Sequence, residues 1–192
     1  MAPDDYVGFT FFIGYMAMMA ASVFFFFERG NVDKKWKTSL LISGLITFIA
    51  AVHYYYMRDY YMAHGESPTF FRYIDWTLTV PLMCVEFYLL TKAAGAKIGL
   101  LWKLIGASVL MLVAGYIGEA FNPEGGSTTH SVVWGVISTV GYVYILYSAW
   151  AGEVKQLAAK SDNPQVAKGV RIMGWFVLVG WAIYPIGYMC MP

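Results

Sequence analysis

The sequence has little charge of either sign. Of its 192 residues only 13% are charged, whereas 59% are hydrophobic and 18% aromatic, and the formal net charge is +1. Soluble domains carry about 25% charged residues, roughly twice this share. The chain also lacks the basic excess that is typical of nucleic-acid binding. We therefore expect a membrane protein and no nucleic-acid partner.

Cysteine is also scarce. Cys84 and Cys190 lie within apolar segments, and their spacing fits neither a metal site nor a disulfide framework, so we expect both to have packing roles. The first residues, Met1 to Asp5, are acidic where a targeting segment would be basic, and no clear cleavage site follows the first apolar run. That run either inserts by itself or follows a leader that has been removed.

Long apolar segments dominate the chain. Each is close to the roughly 20 residues that a helix needs to cross a membrane. They are joined by connections that contain Gly, Pro, Asn and Ser, and there is no internal repeat. The sequence therefore predicts an all-α fold, a polytopic membrane helix bundle that forms one domain over 1–192. The transmembrane helices are expected near 6–27, 38–58, 71–91, 99–121, 129–151 and 170–190.

Lysine and arginine are distributed unevenly. Of the 13, all but Arg58 and Arg72 lie in or beside the first, third and fifth connections. The positive-inside rule places these connections in the cytoplasm and the N-terminus outside. The third segment then runs inward, with Asp75 in its outer half and Glu86 in its cytoplasmic half.

The third segment carries an arginine and two carboxylates, which are costly enough on a membrane helix to indicate function by default. Asp75 and Glu86 are eleven residues apart, about three turns, and so share a face roughly 16 Å apart. Arg72 can reach the same side as Asp75 and favours its ionised form, and Thr79, one turn later, can donate a hydrogen bond to Asp75.

Glu86 lies among apolar neighbours, which favour its protonated form. The two carboxyl groups are thus divided into a base and an acid, as proton-transfer roles require. A structural alternative remains, in which Arg72 and Asp75 form only a buried ion pair and Glu86 extends to the cytoplasmic interface. We consider this alternative weaker because three ionisable groups share one membrane helix.

Residues on two other segments extend this candidate site. His53 lies at a depth similar to that of Asp75, so a contact between them is predicted, although a lone histidine in an apolar helix is more often a core residue. Pro81 and Pro185 remove backbone donors inside the third and sixth segments and are expected to kink them. Trp181 begins an aromatic wall at helical spacing, which continues with Tyr184 and Tyr188.

The third segment resembles the third helix of microbial rhodopsins, and most closely that of proteorhodopsins. The resemblance rests on Arg72-Tyr73-Ile74-Asp75-Trp76, followed by Thr79-Val80-Pro81-Leu82 and Glu86-Phe87-Tyr88. It extends over nearly the whole chain, through 25–29, 35–40, 67–69, 115–120 and 180–188. The set on the third helix is specific, whereas the short apolar runs alone are weak signals.

The resemblance implies a light-driven outward proton pump with a retinal chromophore. It assigns Asp75 as Schiff-base counterion and proton acceptor, Thr79 as its partner and Glu86 as cytoplasmic proton donor. Arg72 matches the arginine near the release path, and His53 matches the histidine that pairs with the counterion. Met83 matches a colour-tuning position, where an apolar residue goes with green absorption. The residues that match the lining of the retinal pocket are Trp76, Met111, Gly115, Trp181, Tyr184 and Pro185.

One feature of the family is missing from this chain. The family binds retinal through a lysine in a seventh helix, and this chain ends at Pro192, just past the sixth segment. Its lysines lie in or beside the predicted cytoplasmic connections. The resemblance therefore implies six transmembrane helices of an expected seven, with the Schiff-base lysine outside the given chain.

The expected setting is the bacterial plasma membrane, with retinal, protons, the lipid bilayer and other copies of the chain in a homo-oligomer as partners. No enzymatic activity and no metal site are expected. Two other functions remain open. A photosensory rhodopsin would signal through a partner, and the carboxylic Glu86 argues against it. In a membrane transporter without a chromophore, Asp75, Glu86 and Arg72 would serve a transport path or structural pairing.

Overall fold

All regular structure in the described residues is helical. The structure is a computed structural model and describes residues 5–66, 68–122, 128–184 and 186. This confirms the predicted all-α class. The helices are α1 (Tyr6–Glu28), α2 (Lys37–His64), α3 (Thr69–Lys92), α4 (Ile98–Ala120), α5 (Thr128–Trp150), α6 (Glu153–Ala159) and α7 (Pro164–Trp175). A 3-10 turn at Lys34–Trp36 precedes α2. A π-helical segment at Phe176–Trp181 continues α7 and is called the π turn below.

Among the described residues, 5 helices, α1 to α5, are long and apolar enough to cross a membrane. They expose large apolar side chains such as Phe27, Trp102 and Val136, and they bury polar groups such as Asp75 and Glu86. This inverted surface suits lipid, which provides no partners for polar groups. The polytopic membrane bundle is thus confirmed. The predicted sixth span corresponds to the end of α7 and the π turn, and positions 185 and 187–190 lie outside the described residues.

The chain forms two compact units, 1–83 and 84–192, and the boundary between them falls within α3. In the first unit α1 packs along α2. In the second unit α4 packs along α5, while α6 and α7 pack on each other and on α5. Pro81, which has no N–H to donate, lies inside the continuous helix α3. That 1–192 is a single domain stays a prediction.

The helix α2 is longer than predicted. The apolar segment ends near residue 58, but the helix continues to His64 and ends at Gly65, which adopts the left-handed conformation at φ 70°. The N–H of Gly65 bonds to the carbonyl of Tyr61. Polar residues mark the end of the apolar environment without ending the helix, whereas a left-handed glycine does end it. The helix therefore continues beyond the predicted transmembrane segment, and the membrane boundary near 58 stays a prediction.

The predicted connection over 152–169 is largely helical. It contains α6, and α7 begins at Pro164, six residues before the predicted start. The side-chain oxygen of Asn163 accepts a hydrogen bond from the N–H of Gln165 at 3.0 Å. Asn before the first turn and Pro at its first position are helix start signals, although the same residues also suit a loop. The helix thus begins before the predicted transmembrane segment, whose start near 170 stays a prediction.

A glycine allows α4 and α5 to approach closely. A Cβ added at Gly141 would lie 2.9 Å from the main-chain nitrogen of Met111 and 3.0 Å from its Cβ. The hydroxyl of Ser138 donates to the main-chain carbonyl of Met111 at 2.7 Å. Main-chain atoms cannot move aside as a flexible side chain can, so position 141 has no room for a larger residue.

Gly141→Ala is expected to destabilise the fold by about 1–3 kcal/mol, because the added methyl overpacks this helix pair. The measurement is the thermal unfolding midpoint of the purified protein in detergent. Gly106→Ala is the matched control, since a Cβ at Gly106 on α4 meets nothing within 4 Å. Alanine favours a helix over glycine, so the control should hold or raise the midpoint. Equal midpoints for the two variants would refute the packing argument.

Candidate functional site

The helix α3 buries two carboxyl groups. Asp75 is 3% exposed and Glu86 is 7% exposed. Burial of an ionisable group in a membrane helix is expensive, and such groups mark ion or proton paths. Both positions therefore fit the functional prediction better than a packing role.

His53 and Asp75 contact each other, as the sequence predicts. Nδ1 of His53 lies 3.6 Å from Oδ1 of Asp75 and 2.9 Å from the main-chain carbonyl of Ile49. A carbonyl oxygen can only accept, so the geometry assigns the ring proton to Nδ1, which donates to Ile49. The helix α2 thereby fixes the imidazole against the carboxylate.

Thr79 and Arg72 make contacts along α3. The buried hydroxyl of Thr79 donates to the main-chain carbonyl of Asp75 at 3.0 Å, so its bond to this residue is made to the main chain. Nη2 of Arg72 donates to the hydroxyl of Thr69 at 2.9 Å. The guanidinium carbon of Arg72 also lies 5.6 Å from the ring centroid of Trp76, a cation–π contact. The predicted influence of Arg72 on the charge of Asp75 stays a prediction.

One oxygen of Asp75 is notable. Within the part of the chain that the structure describes, its buried Oδ1 has no hydrogen-bond partner. A buried acceptor without a donor carries a penalty of about 1–3 kcal/mol, more when it is charged. A cationic donor beside Oδ1 would remove this penalty, so this oxygen suits a positively charged ligand group.

Glu86 lies in the part of α3 that belongs to the second unit. The neighbouring Cys84 is fully buried, and its thiol donates to the main-chain carbonyl of Leu104 on α4 at 3.6 Å. Phe87 is also buried. These contacts agree with the packing role predicted for Cys84. The burial of Glu86 also weighs against the alternative in which it extends to the cytoplasmic interface.

The residues predicted to line a retinal pocket lie on three elements. Trp76 and Met83 are half-buried on α3, and on α4 Met111 is half-buried and Gly115 buried. Trp181 ends the π turn and is half-buried, and Tyr184 is exposed. Pro185, with its expected kink, and Tyr188 lie outside the described residues. That these side chains form one pocket stays a prediction.

The structure shows two contacts that the sequence does not predict, one between α5 and α7 and one between α5 and the π turn. The hydroxyl of Tyr142 donates to the main-chain carbonyl of Leu178 at 3.1 Å, and Nε1 of Trp150 donates to the main-chain carbonyl of Gly174 at 3.1 Å. Tyrosine and tryptophan in apolar helices are ordinarily packing or interfacial residues. Because their partners here are main-chain atoms, no residue type in the sequence indicates them.

The fold and the site define a multi-pass helical membrane protein with buried acid–base groups on one transmembrane helix. A family model described as "Bacteriorhodopsin-like protein" matches residues 5–192. The chain belongs to this family, the microbial rhodopsins, as the resemblance of its third helix predicts.

The relatives include proteorhodopsins. The chain is 46% identical over 188 residues to the green-light absorbing proteorhodopsin of Gamma-proteobacterium EBAC31A08. The aligned region covers 96% of this chain and 72% of that protein. The crystal structure of a blue light-absorbing proteorhodopsin from Med12 superposes with a TM-score of 0.78 at 43% identity, covering 96% of this chain and 80% of that one. The crystal structure of Exiguobacterium sibiricum rhodopsin superposes with a TM-score of 0.82 at 35% identity, and the match covers 94% of this chain and 78% of that one.

Proposed function

We propose that this chain belongs to a light-driven outward proton pump that uses retinal. Asp75 is its proton acceptor, and Glu86 is its proton donor on the cytoplasmic side. The observation that carries the proposal is the burial of both carboxyl groups on one transmembrane helix. The relatives support it, because they include proteorhodopsins and bacteriorhodopsins.

The residues fit retinal at Asp75. Oδ1, which accepts no hydrogen bond among the described residues, suits the positive charge of a retinal imine, which relatives of this fold are expected to carry on a lysine of a further helix. When bound, retinal absorbs visible light and supplies the isomerisation that drives the pump. We assign its lining to Trp76, Met83, Met111, Gly115, Trp181, Tyr184 and Pro185.

Asp75 acts as the base of this site. As a carboxylate it can take up one proton, and its burial limits exchange of that proton with bulk water. The imidazole of His53 is held beside it by the bond to Ile49, so it tunes the carboxylate from a fixed distance. We assign Thr79 and Arg72 supporting roles, Thr79 through its bond to the main chain of Asp75 and Arg72 as a fixed positive charge on the release side.

Glu86 acts as the acid. In this role it gives up a proton toward the interior and regains one from the cytoplasm. Outward transport requires the orientation that the lysine and arginine distribution predicts, with the N-terminus outside. We propose that the protein has this orientation in the bacterial plasma membrane. A proton acceptor and a proton donor at different depths along one helix thus give the path its direction.

The full-length protein, expressed in cells and supplied with all-trans retinal, is expected to show a visible absorption band in the green. Illumination should acidify the suspension medium, and a protonophore should abolish this change because it collapses the proton gradient. The measurements are an absorption spectrum and a pH electrode reading under light. A coloured protein without a pH change would favour a photosensor, and a colourless protein would refute both light-dependent functions.

A further inference from the structure

Two side chains of α5 donate hydrogen bonds to main-chain carbonyls of α7 and of the π turn that continues it. Trp150 bonds to the carbonyl of Gly174, and Tyr142 bonds to the carbonyl of Leu178, one helical turn further on. Gly174 permits the first contact, since a Cβ there would lie 2.9 Å from Nε1 of Trp150. One bond thus reaches α7 and the other reaches the π turn, and both belong to the second compact unit.

The hydrogen bond from Tyr142 reaches the π turn. Leu178 lies inside Phe176–Trp181, where the helix is π-helical. Such turns are rare, and they occur mostly as single-turn bulges inside α-helices, frequently at functional sites. Tyr142 is only 8% exposed, so its hydroxyl reaches this carbonyl from within the protein. A donor from a neighbouring helix stabilises a turn that would otherwise leave carbonyl groups poorly paired.

The π turn controls where the following residues face. Widening a helix by one residue rotates everything beyond it by roughly 100° relative to a regular α-helix. Trp181 stands at the end of the π turn and Tyr184 follows it. If the turn relaxed to α-helical geometry, both aromatic side chains would point to a different side of the helix.

We propose that Tyr142 is a positioning residue. Its hydroxyl holds the π turn through the carbonyl of Leu178, and this sets the direction of Trp181 toward the chromophore. The first part stands on the described contacts alone, and the second part rests on the proposed function. The two parts have separate tests.

The first test is hydrogen–deuterium exchange of the amides over 176–184, followed by mass spectrometry of the full-length protein. Tyr142→Phe removes only the hydroxyl and should exchange roughly two- to tenfold faster in this segment, the effect of one lost hydrogen bond. Tyr147→Phe is the matched control, since Tyr147 lies on the same helix and is 58% exposed. Equal exchange in the two variants would overturn the proposal. The two variants should exchange alike over α4.

The second test is the absorption spectrum after addition of retinal. Tyr142→Phe is expected to shift the absorption maximum, because Trp181 changes its direction, whereas Tyr147→Phe should leave the maximum in place. Faster exchange with an unmoved maximum would overturn the positioning role. A colourless wild-type protein would refute the proposed function, and the exchange experiment would still decide whether Tyr142 holds the π turn.

Discussion

Asp75→Asn is expected to abolish light-driven acidification. The amide has nearly the shape of the carboxyl group but cannot take up a proton, so the path loses its acceptor. Bulk water does not easily take over as proton acceptor, because Asp75 is 3% exposed. The measurement is the pH of a cell suspension under light, with the pigment content of each sample determined from its spectrum.

Asp59→Asn is the matched control for this experiment. Asp59 lies near the end of α2, where its side chain is 55% exposed and 3.9 Å from Arg58. The same chemical change there should leave pumping intact, since Asp59 is exposed and lies outside the proposed proton path. Pumping by Asp75→Asn at the wild-type rate per pigment molecule would show that the acceptor lies elsewhere.

Glu86→Gln is expected to separate the start of the photocycle from its completion. The light reaction should still occur, but the late reprotonation step should slow by roughly 10²-fold, the scale of a lost general acid. Protons must then arrive from water without a positioned donor. The measurement is flash photolysis at the wavelength of the dark pigment, which follows the return of the initial absorption.

Added azide gives this prediction a second readout. A small diffusible acid can replace a missing donor, so azide should speed the recovery of Glu86→Gln and change the wild type little. Glu153→Gln is the control, since Glu153 lies at the surface, 3.2 Å from Lys103, and should recover at the wild-type rate. Wild-type decay kinetics in Glu86→Gln would rule out the donor role.

The sequence predicts most of this fold because a membrane imposes a simple pattern. Apolar runs of the right length mark α1 to α5 closely, since each helix must satisfy its own backbone in lipid. The apolar pattern does not mark where helices begin or end outside the bilayer, where that constraint no longer holds. There α2 continues to His64, and local signals at Asn163 and Pro164 start α7 before its apolar segment begins.

Only part of the candidate site can be predicted from the apolar pattern that a membrane imposes. Asp75 and Glu86 stand out in the sequence because charged groups are rare in apolar helices, and depth along the helix is enough to pair His53 with Asp75. Contacts with main-chain atoms leave no such mark. Thr79 bonds to the carbonyl of its own helix, and Tyr142 bonds to a carbonyl thirty-six residues away in the sequence, which only the packing of α5 on α7 determines.

The length of α2 also determines how deeply the chain is seated in its bilayer. A helix of 28 residues is roughly 42 Å long, whereas the hydrocarbon layer is about 30 Å thick. About two turns must therefore stand in the headgroup layer, and these carry Arg58, Asp59 and His64. The ring of His64 stacks on Tyr60 at 4.3 Å, which stiffens this end. Polar groups of this kind are costly in hydrocarbon, so this end of α2 is expected to resist movement into the bilayer core.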